Sequence, residues 1–267
     1  MEGKNVELGL CIEMALAKLP FEERLRRAGM IGFRNVEMWF VDDSHKGAPE
    51  DLRALARDIG VTITNTVIGA PDGSVGGGLT EPGKRAQWLD RARMTLDFNV
   101  RAGIPNTIVC TGNVVPTMSD AAMEQSVLDG LRATVELAEQ ANVTLLLEPL
   151  NTERDHAGYW LWSSDRGAEL CRKVGSPRLR LLFDCYHMQI MEGNVIEHIR
   201  RNLDVIGHFH AAGVPGRHEI FDNELNYAYI VRAIESLGYT GVFGLEYEPT
   251  FDDEQSLRQT LEYLKQQ

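Results

Sequence analysis

Eight times along this 267-residue chain, a short run of bulky apolar residues gives way to a longer, helix-patterned stretch. The short runs are 6–12, 35–40, 61–67, 106–110, 143–147, 179–183, 205–210 and 242–246. Each is too short for a helix, and their bulky, β-branched content suits strands buried on both faces. The intervening stretches carry helix punctuation. Pro49 opens one segment and Gly60 closes it, Gly29 and Gly103 stand where C-caps belong, and Ser119 is placed to cap a helix running to about Ala141. Further helices are expected over 164–174, 192–202, 226–237 and 252–267. Eight strand–helix units with no linker or low-complexity run predict one domain over residues 1–267, a (β/α)₈ barrel. A doubly wound open sheet is the competitor, but its phosphate fingerprint is missing. The glycine-rich loop 69–78 has no basic or Walker-type ending and reads as a mobile loop or lid.

Composition narrows the function. A net charge of −12 argues against a general nucleic-acid binder and against anionic membranes. No run approaches the roughly 18 apolar residues of a membrane span, and no signal-type apolar segment opens the chain. The cysteines Cys11, Cys110, Cys171 and Cys185 are scattered without a CxxC pair, so they read as small apolar fillers in a reduced, cytoplasmic protein.

The ends of the later strands hold the chemistry. The fifth finishes Leu145-Leu146-Leu147-Glu148 and is stopped by Pro149, which has no N–H to donate. The sixth ends on Asp184, the seventh on His208-Phe209-His210 and the eighth on Glu246. A barrel brings its C-terminal strand ends to one mouth, so Glu148, Asp184, His210 and Glu246 are expected to meet there. Three carboxylates and an imidazole suit one hard or borderline divalent cation such as Mg²⁺, Mn²⁺ or Co²⁺, with Zn²⁺ less expected without cysteine. His208 competes with His210, since period-two alternation puts both on one face; His210 is preferred as nearer the strand end.

These residues also carry a resemblance. Glu148-Pro149-Leu150-Asn151, Arg154-Asp155, Gly158-Tyr159, Asp184-Cys185-Tyr186-His187-Met188-Gln189, Pro215-Gly216-Arg217-His218-Glu219 and Glu224-Leu225-Asn226-Tyr227 together resemble the hydroxypyruvate isomerase family. That family belongs to the xylose isomerase-like TIM barrels, with the ketose 3-epimerases and the endonuclease IV type of repair enzyme. The resemblance implies that Glu148 and Glu246 are the proton donor/acceptor pair as well as metal ligands. Asp184 and position 210 complete the metal set, and His187 and Arg217 hold substrate oxygens. One position departs: hydroxypyruvate isomerases tend to carry Gln where this chain has His210, whereas ketose 3-epimerases carry His.

The expected chemistry follows. An α-hydroxycarbonyl compound chelated by the cation loses its α-proton to a carboxylate, with Lewis-acid stabilisation of the enediolate charge. Returning the proton to the neighbouring carbon isomerises; protonating the opposite face of the same carbon epimerises. The expected partner is thus a small keto acid or ketose, and a homo-oligomer is left open. Two other classes compete. A related nuclease would need more histidine ligands and a basic groove, and a silent sugar-binding barrel would not need both glutamates. Arg154 and Asp155 read as a loop-bracing ion pair. Trp39, Phe40, Trp160 and Trp162 read as core or interface rather than substrate platform.

Overall fold

The computed structural model describes residues 6–42 and 44–265, so Gln266 and Gln267 of the expected last helix lie outside the described residues. In chain order the elements are β1 (Glu7–Cys11), α1 (Phe21–Ile31), β2 (Asn35–Glu37), α2 (Pro49–Ile59), β3 (Thr62–Val67), α3 (Arg85–Ala102), β4 (Asn106–Val109) and α4 (Asp120–Ala141). There follow β5 (Thr144–Leu147), α5 (Ser164–Val174), β6 (Leu179–Asp184), α6 (Cys185–Met191), α7 (Val195–Asn202), β7 (Ile206–Ala211), α8 (Tyr227–Ser236), β8 (Val242–Leu245) and α9 (Asp253–Lys265). The strands pair in sequence order, and β8 closes on β1 with Leu10 opposite Leu245. All neighbours are parallel. The chain is a (β/α)₈ barrel. Closure leaves no unpaired sheet edge and directs every strand's C-terminal end to one mouth.

Local sequence explains most of these boundaries. α4 begins where the Ser119 hydroxyl accepts from the Ala122 N–H at 3.2 Å, and ends at Asn142 in the left-handed region with φ 55°. Its buried Met123, Val127, Leu131 and Val135 recur every fourth residue, which lays one apolar stripe on the sheet. Gly60 and Gly103 close α2 and α3 with φ of 81° and 74°, a conformation costly for residues with a Cβ. The strands supply the core: Leu145, Leu146, Leu147, Leu181, Leu182, Phe183, Phe209 and Phe243 are buried. Each such side chain contributes about 1.5–3 kcal/mol of burial free energy. All four cysteines are free and buried, as apolar fillers would be. Among the described residues no helix is long and apolar enough to cross a membrane.

Three boundaries differ from expectation. α1 runs through Gly29 and is capped at Gly32, whose N–H bonds to the Ala28 carbonyl. Gly29 is instead a packing position: a Cβ there would lie 2.7 Å from Cγ2 of Ile59. β2 stops at Glu37 instead of Phe40, at an irregularity in its register with β3. The segment after Asp184 forms a short helix, α6, ahead of the expected one.

Candidate metal centre and acid–base site

The backbone at the barrel mouth fixes where each polar side chain begins. The N–H of Glu148 continues the β4–β5 ladder to the Val109 carbonyl at 3.2 Å. The Tyr159 hydroxyl donates to the Glu148 carbonyl at 2.9 Å and accepts from the Thr111 N–H at 2.8 Å, which pins the strand end in front of Pro149. Asp184 caps α6, its Oδ1 accepting from the N–H groups of Tyr186 and His187 at 2.7 and 3.3 Å. His210 lies opposite Asp184 on one side and Gly244 on the other. Glu246 follows β8, its N–H on the Ala211 carbonyl at 3.0 Å.

Glu148, Asp184, His210 and Glu246 each bring one ligand atom to a common point, all within 4.8 Å of one another, and all four residues are buried. His210 Nδ1 stands 3.6 Å from Glu148 Oε1 and 3.4 Å from Glu246 Oε2. Glu148 Oε1 and His210 Nδ1 are buried with no hydrogen-bond partner. Buried polar atoms are normally bonded, so two orphans converging with further carboxylates match what a divalent cation needs. The donor set fits such an ion.

The electrostatics of these groups diverge. Burial pushes Glu148 upward, against the nearby His210. Burial also raises Asp184, to about 7. At Glu246 burial acts the same way, but Arg217 and His210 outweigh it and hold this carboxyl well below the usual range. Burial would lower His210, yet Glu37 and Glu246 raise it well above its ordinary value.

A ring of donors surrounds the cluster. Arg217 bonds Glu246 Oε2 at 2.5 Å and Trp39 Nε1 donates to Glu246 Oε1 at 3.1 Å. His187 Nδ1 accepts from the Asn151 N–H at 3.2 Å and lies 2.6 Å from Asn151 Nδ2. With Nδ1 accepting, the ring proton sits on Nε2, which is buried without a partner 3.6 Å from Asp184 Oδ2. Burial, with Arg217 nearby, holds His187 well below its ordinary value, so it is a neutral donor. Beside the cluster a cavity of about 220 Å³ is walled by Trp39, Val67, Ile108, Cys110, His156 and Arg217, with Glu148 and Glu246 at its floor. That is the liquid volume of about seven waters, room for a small organic molecule.

The structure therefore gathers all six expected site residues at one mouth, with His187 and Arg217 beside the four-residue cluster. It takes His210 into the cluster, while His208 turns its Nε2 to Glu37 at 3.0 Å. Two expectations are corrected. Asp155 pairs with Asn151 Nδ2 at 2.6 Å and the Tyr186 hydroxyl at 2.8 Å in place of Arg154. Trp39 and Phe40 line the cavity, whereas Trp160 is buried under Arg166 and Trp162 is exposed. Glu37, Trp39, Asn151 and His156 were not foreseen as parts of the site. Asn151 was visible in the Glu-Pro-Leu-Asn run without a role to go with it.

Comparison with known proteins agrees with this architecture. The family model described as xylose isomerase-like TIM barrel matches residues 25–267. A 2-oxo-tetronate isomerase of Cupriavidus necator is 34% identical over 240 residues, covering 89% of this chain and 91% of its own. A hydroxypyruvate isomerase of Escherichia coli is 28% identical over 249 residues, covering 92% and 95%. Among solved structures, a family 2 AP endonuclease from Brucella melitensis superimposes with a TM-score of 0.89 at 26% identity, covering 97% of this chain and 99% of its own.

Proposed function

Because the chain belongs to the hydroxypyruvate isomerase family of xylose isomerase-like TIM barrels, we propose that it isomerises a small α-hydroxycarbonyl acid of the hydroxypyruvate/tartronate semialdehyde type, by proton transfer between two glutamates. The observation that carries this reading is the pairing of Glu148 and Glu246 across His210 at the floor of a small buried cavity.

Glu148, Asp184, His210 and Glu246 would hold one divalent cation, Mg²⁺, Mn²⁺ or Co²⁺, with Zn²⁺ less suited. When bound, it supplies Lewis-acid stabilisation of negative charge on the substrate's adjacent oxygens. Arg217 and Trp39 keep Glu246 ionised and fixed, which suits the base that removes the α-proton. Burial favours the protonated form of Glu148, which suits the acid that returns a proton to the neighbouring carbon. The hydroxyl proton of the starting alcohol passes to the former carbonyl oxygen, and exchange with solvent returns Glu246 to its ionised and Glu148 to its protonated form; in the reverse direction the two exchange roles. The His187 Nε2–H and the unpartnered Arg217 Nε–H are free to donate to substrate oxygens. The apolar wall of Val67, Ile108 and Leu150 keeps bulk water away from the carbanion-like carbon.

His210 favours a second reading, a ketose 3-epimerase, because this side chain matches the epimerase pattern at that position. A nuclease is disfavoured by the net charge of −12. The deciding experiment offers hydroxypyruvate, 2-oxo-tetronate and C4–C6 ketoses to the Mn²⁺-loaded protein in D₂O. Aldehyde–ketone interconversion of the acids with deuterium at the neighbouring carbon is expected. Deuterium only at C3 of ketoses, with C3 inversion, would transfer the assignment to the epimerase reading, and no exchange on any substrate would end both.

A further inference from the structure

We propose that Glu37 is a positioning residue for the candidate metal centre: it holds His210 in the tautomer whose Nδ1 lone pair faces the cluster and makes that nitrogen a stronger ligand. The inference rests on reading Glu148, Asp184, His210 and Glu246 as a cation site. Glu37 touches neither the cavity nor the other cluster carboxylates by hydrogen bond. It lies at the end of β2, 1% exposed. Its Oε2 is 2.7 Å from His210 Nε2 and 3.2 Å from the Asn65 Nδ2 donor, and its Oε1 is 3.0 Å from His208 Nε2. An ionised carboxylate only accepts, so the Nε2 of a neutral His210 must carry the ring proton and Nδ1 must be bare. Nδ1 is the atom that faces Glu148 and Glu246 and lacks a hydrogen-bond partner.

The barrel is shaped around this carboxylate. A Cβ on Gly244 would fall 2.3 Å from Glu37 Oε1 and 2.8 Å from His210 Cδ2, and one on Gly9 would fall 3.0 Å from the same oxygen. Glycine weakens a strand interior; at Gly244 its missing side chain is the space that Glu37 fills, while at Gly9 that space is shared with Val242 Cγ1, 2.7 Å from such a Cβ. His208 and His210 then pack edge to face, ring centroids 5.0 Å apart, both hung from one carboxylate. A carboxylate behind a ligating imidazole fixes its orientation and raises its basicity, and removing such a partner typically costs about 10–100-fold in metal affinity.

The test is a Mn²⁺ titration of the full chain followed by electron paramagnetic resonance of the free ion, for wild type, Glu37→Gln, His210→Gln and the double variant. Glu37→Gln should weaken Mn²⁺ binding by about 10–100-fold, and adding it to His210→Gln should bring no further loss, because the imidazole it acts through is gone. Wild-type affinity in Glu37→Gln, or the same loss in both backgrounds, overturns the proposal. If Glu37→Gln does not fold, nitrogen NMR of the Mg²⁺-loaded wild type decides: a proton on His210 Nε2 with Nδ1 unprotonated and shifted by the ion supports it, and a proton on Nδ1 with Nε2 unprotonated refutes it. A wild type that binds no Mn²⁺ at all would instead remove the cation reading, and this inference with it.

Discussion

Glu148 and Glu246 are the same chemical group in two electrostatic settings. Arg217 and the Trp39 indole hold one ionised, while burial presses the other toward its neutral acid. Replacing either with Gln keeps shape and an oxygen ligand but removes the exchangeable proton. Glu148→Gln and Glu246→Gln should each lower kcat by about 10²–10⁴-fold while Mn²⁺ stays bound at reduced affinity; both variants turning over at the wild-type rate with metal present would contradict the mechanism. At this scale the sequence was informative wherever a carboxylate or imidazole closed an apolar run, as with Glu148, Asp184, His210 and Glu246. Glu37 obeys the same rule but escaped it, because an apolar Met38-Trp39-Phe40 follows and made the strand look longer than it is. Trp39 escaped with it, since its bond to Glu246 spans the barrel mouth between β2 and β8.

Elements were legible where backbone chemistry demands a particular residue. Ser119, Pro49, Gly60 and Gly103 mark real helix ends because capping and positive φ leave few alternatives. Gly29 misled because glycine also serves where two elements touch, and periodicity along one helix does not reveal what packs on it. Gly29→Ala improves intrinsic helix propensity by up to about 1 kcal/mol, yet it drives a methyl to within 2.7 Å of Ile59 and 3.3 Å of Val61. Overpacking of this kind costs about 1–3 kcal/mol, so a net loss of stability is expected in urea denaturation, with kcat unaffected. A more stable variant would show that α2 shifts freely. α6 was invisible for another reason: its seven residues are too few to show a helical period, and only the Asp184 cap announces it.

For the whole molecule, the concentration of buried acids at one mouth would make cation binding and stability a single equilibrium. An ion that binds only the folded chain adds about 2.7 kcal/mol when present at 100 times its Kd, so exhaustive chelation should lower Tm and Mn²⁺ should restore it. A bound ion would displace protons from Asp184, raised to about 7, and from His210, raised as well. The ion-free form thus holds more protons than the ion-bound form, and affinity climbs as pH rises toward 7. The Tm increment on adding Mn²⁺ should be larger at pH 7.5 than at pH 5.5 in differential scanning calorimetry, and an increment that shrinks with pH would contradict the assignment. The closure of β8 on β1 has one more consequence. Glu246 lies just beyond the last strand and its hydrogen-bond partner Trp39 just beyond the second, so the candidate site straddles the seam where β8 meets β1. During synthesis on the ribosome the first seven strands emerge before their closing partner. A nascent chain therefore carries Glu148, Asp184 and His210 without their fourth member, and the four-residue cluster is complete only once β8 and Glu246 have docked.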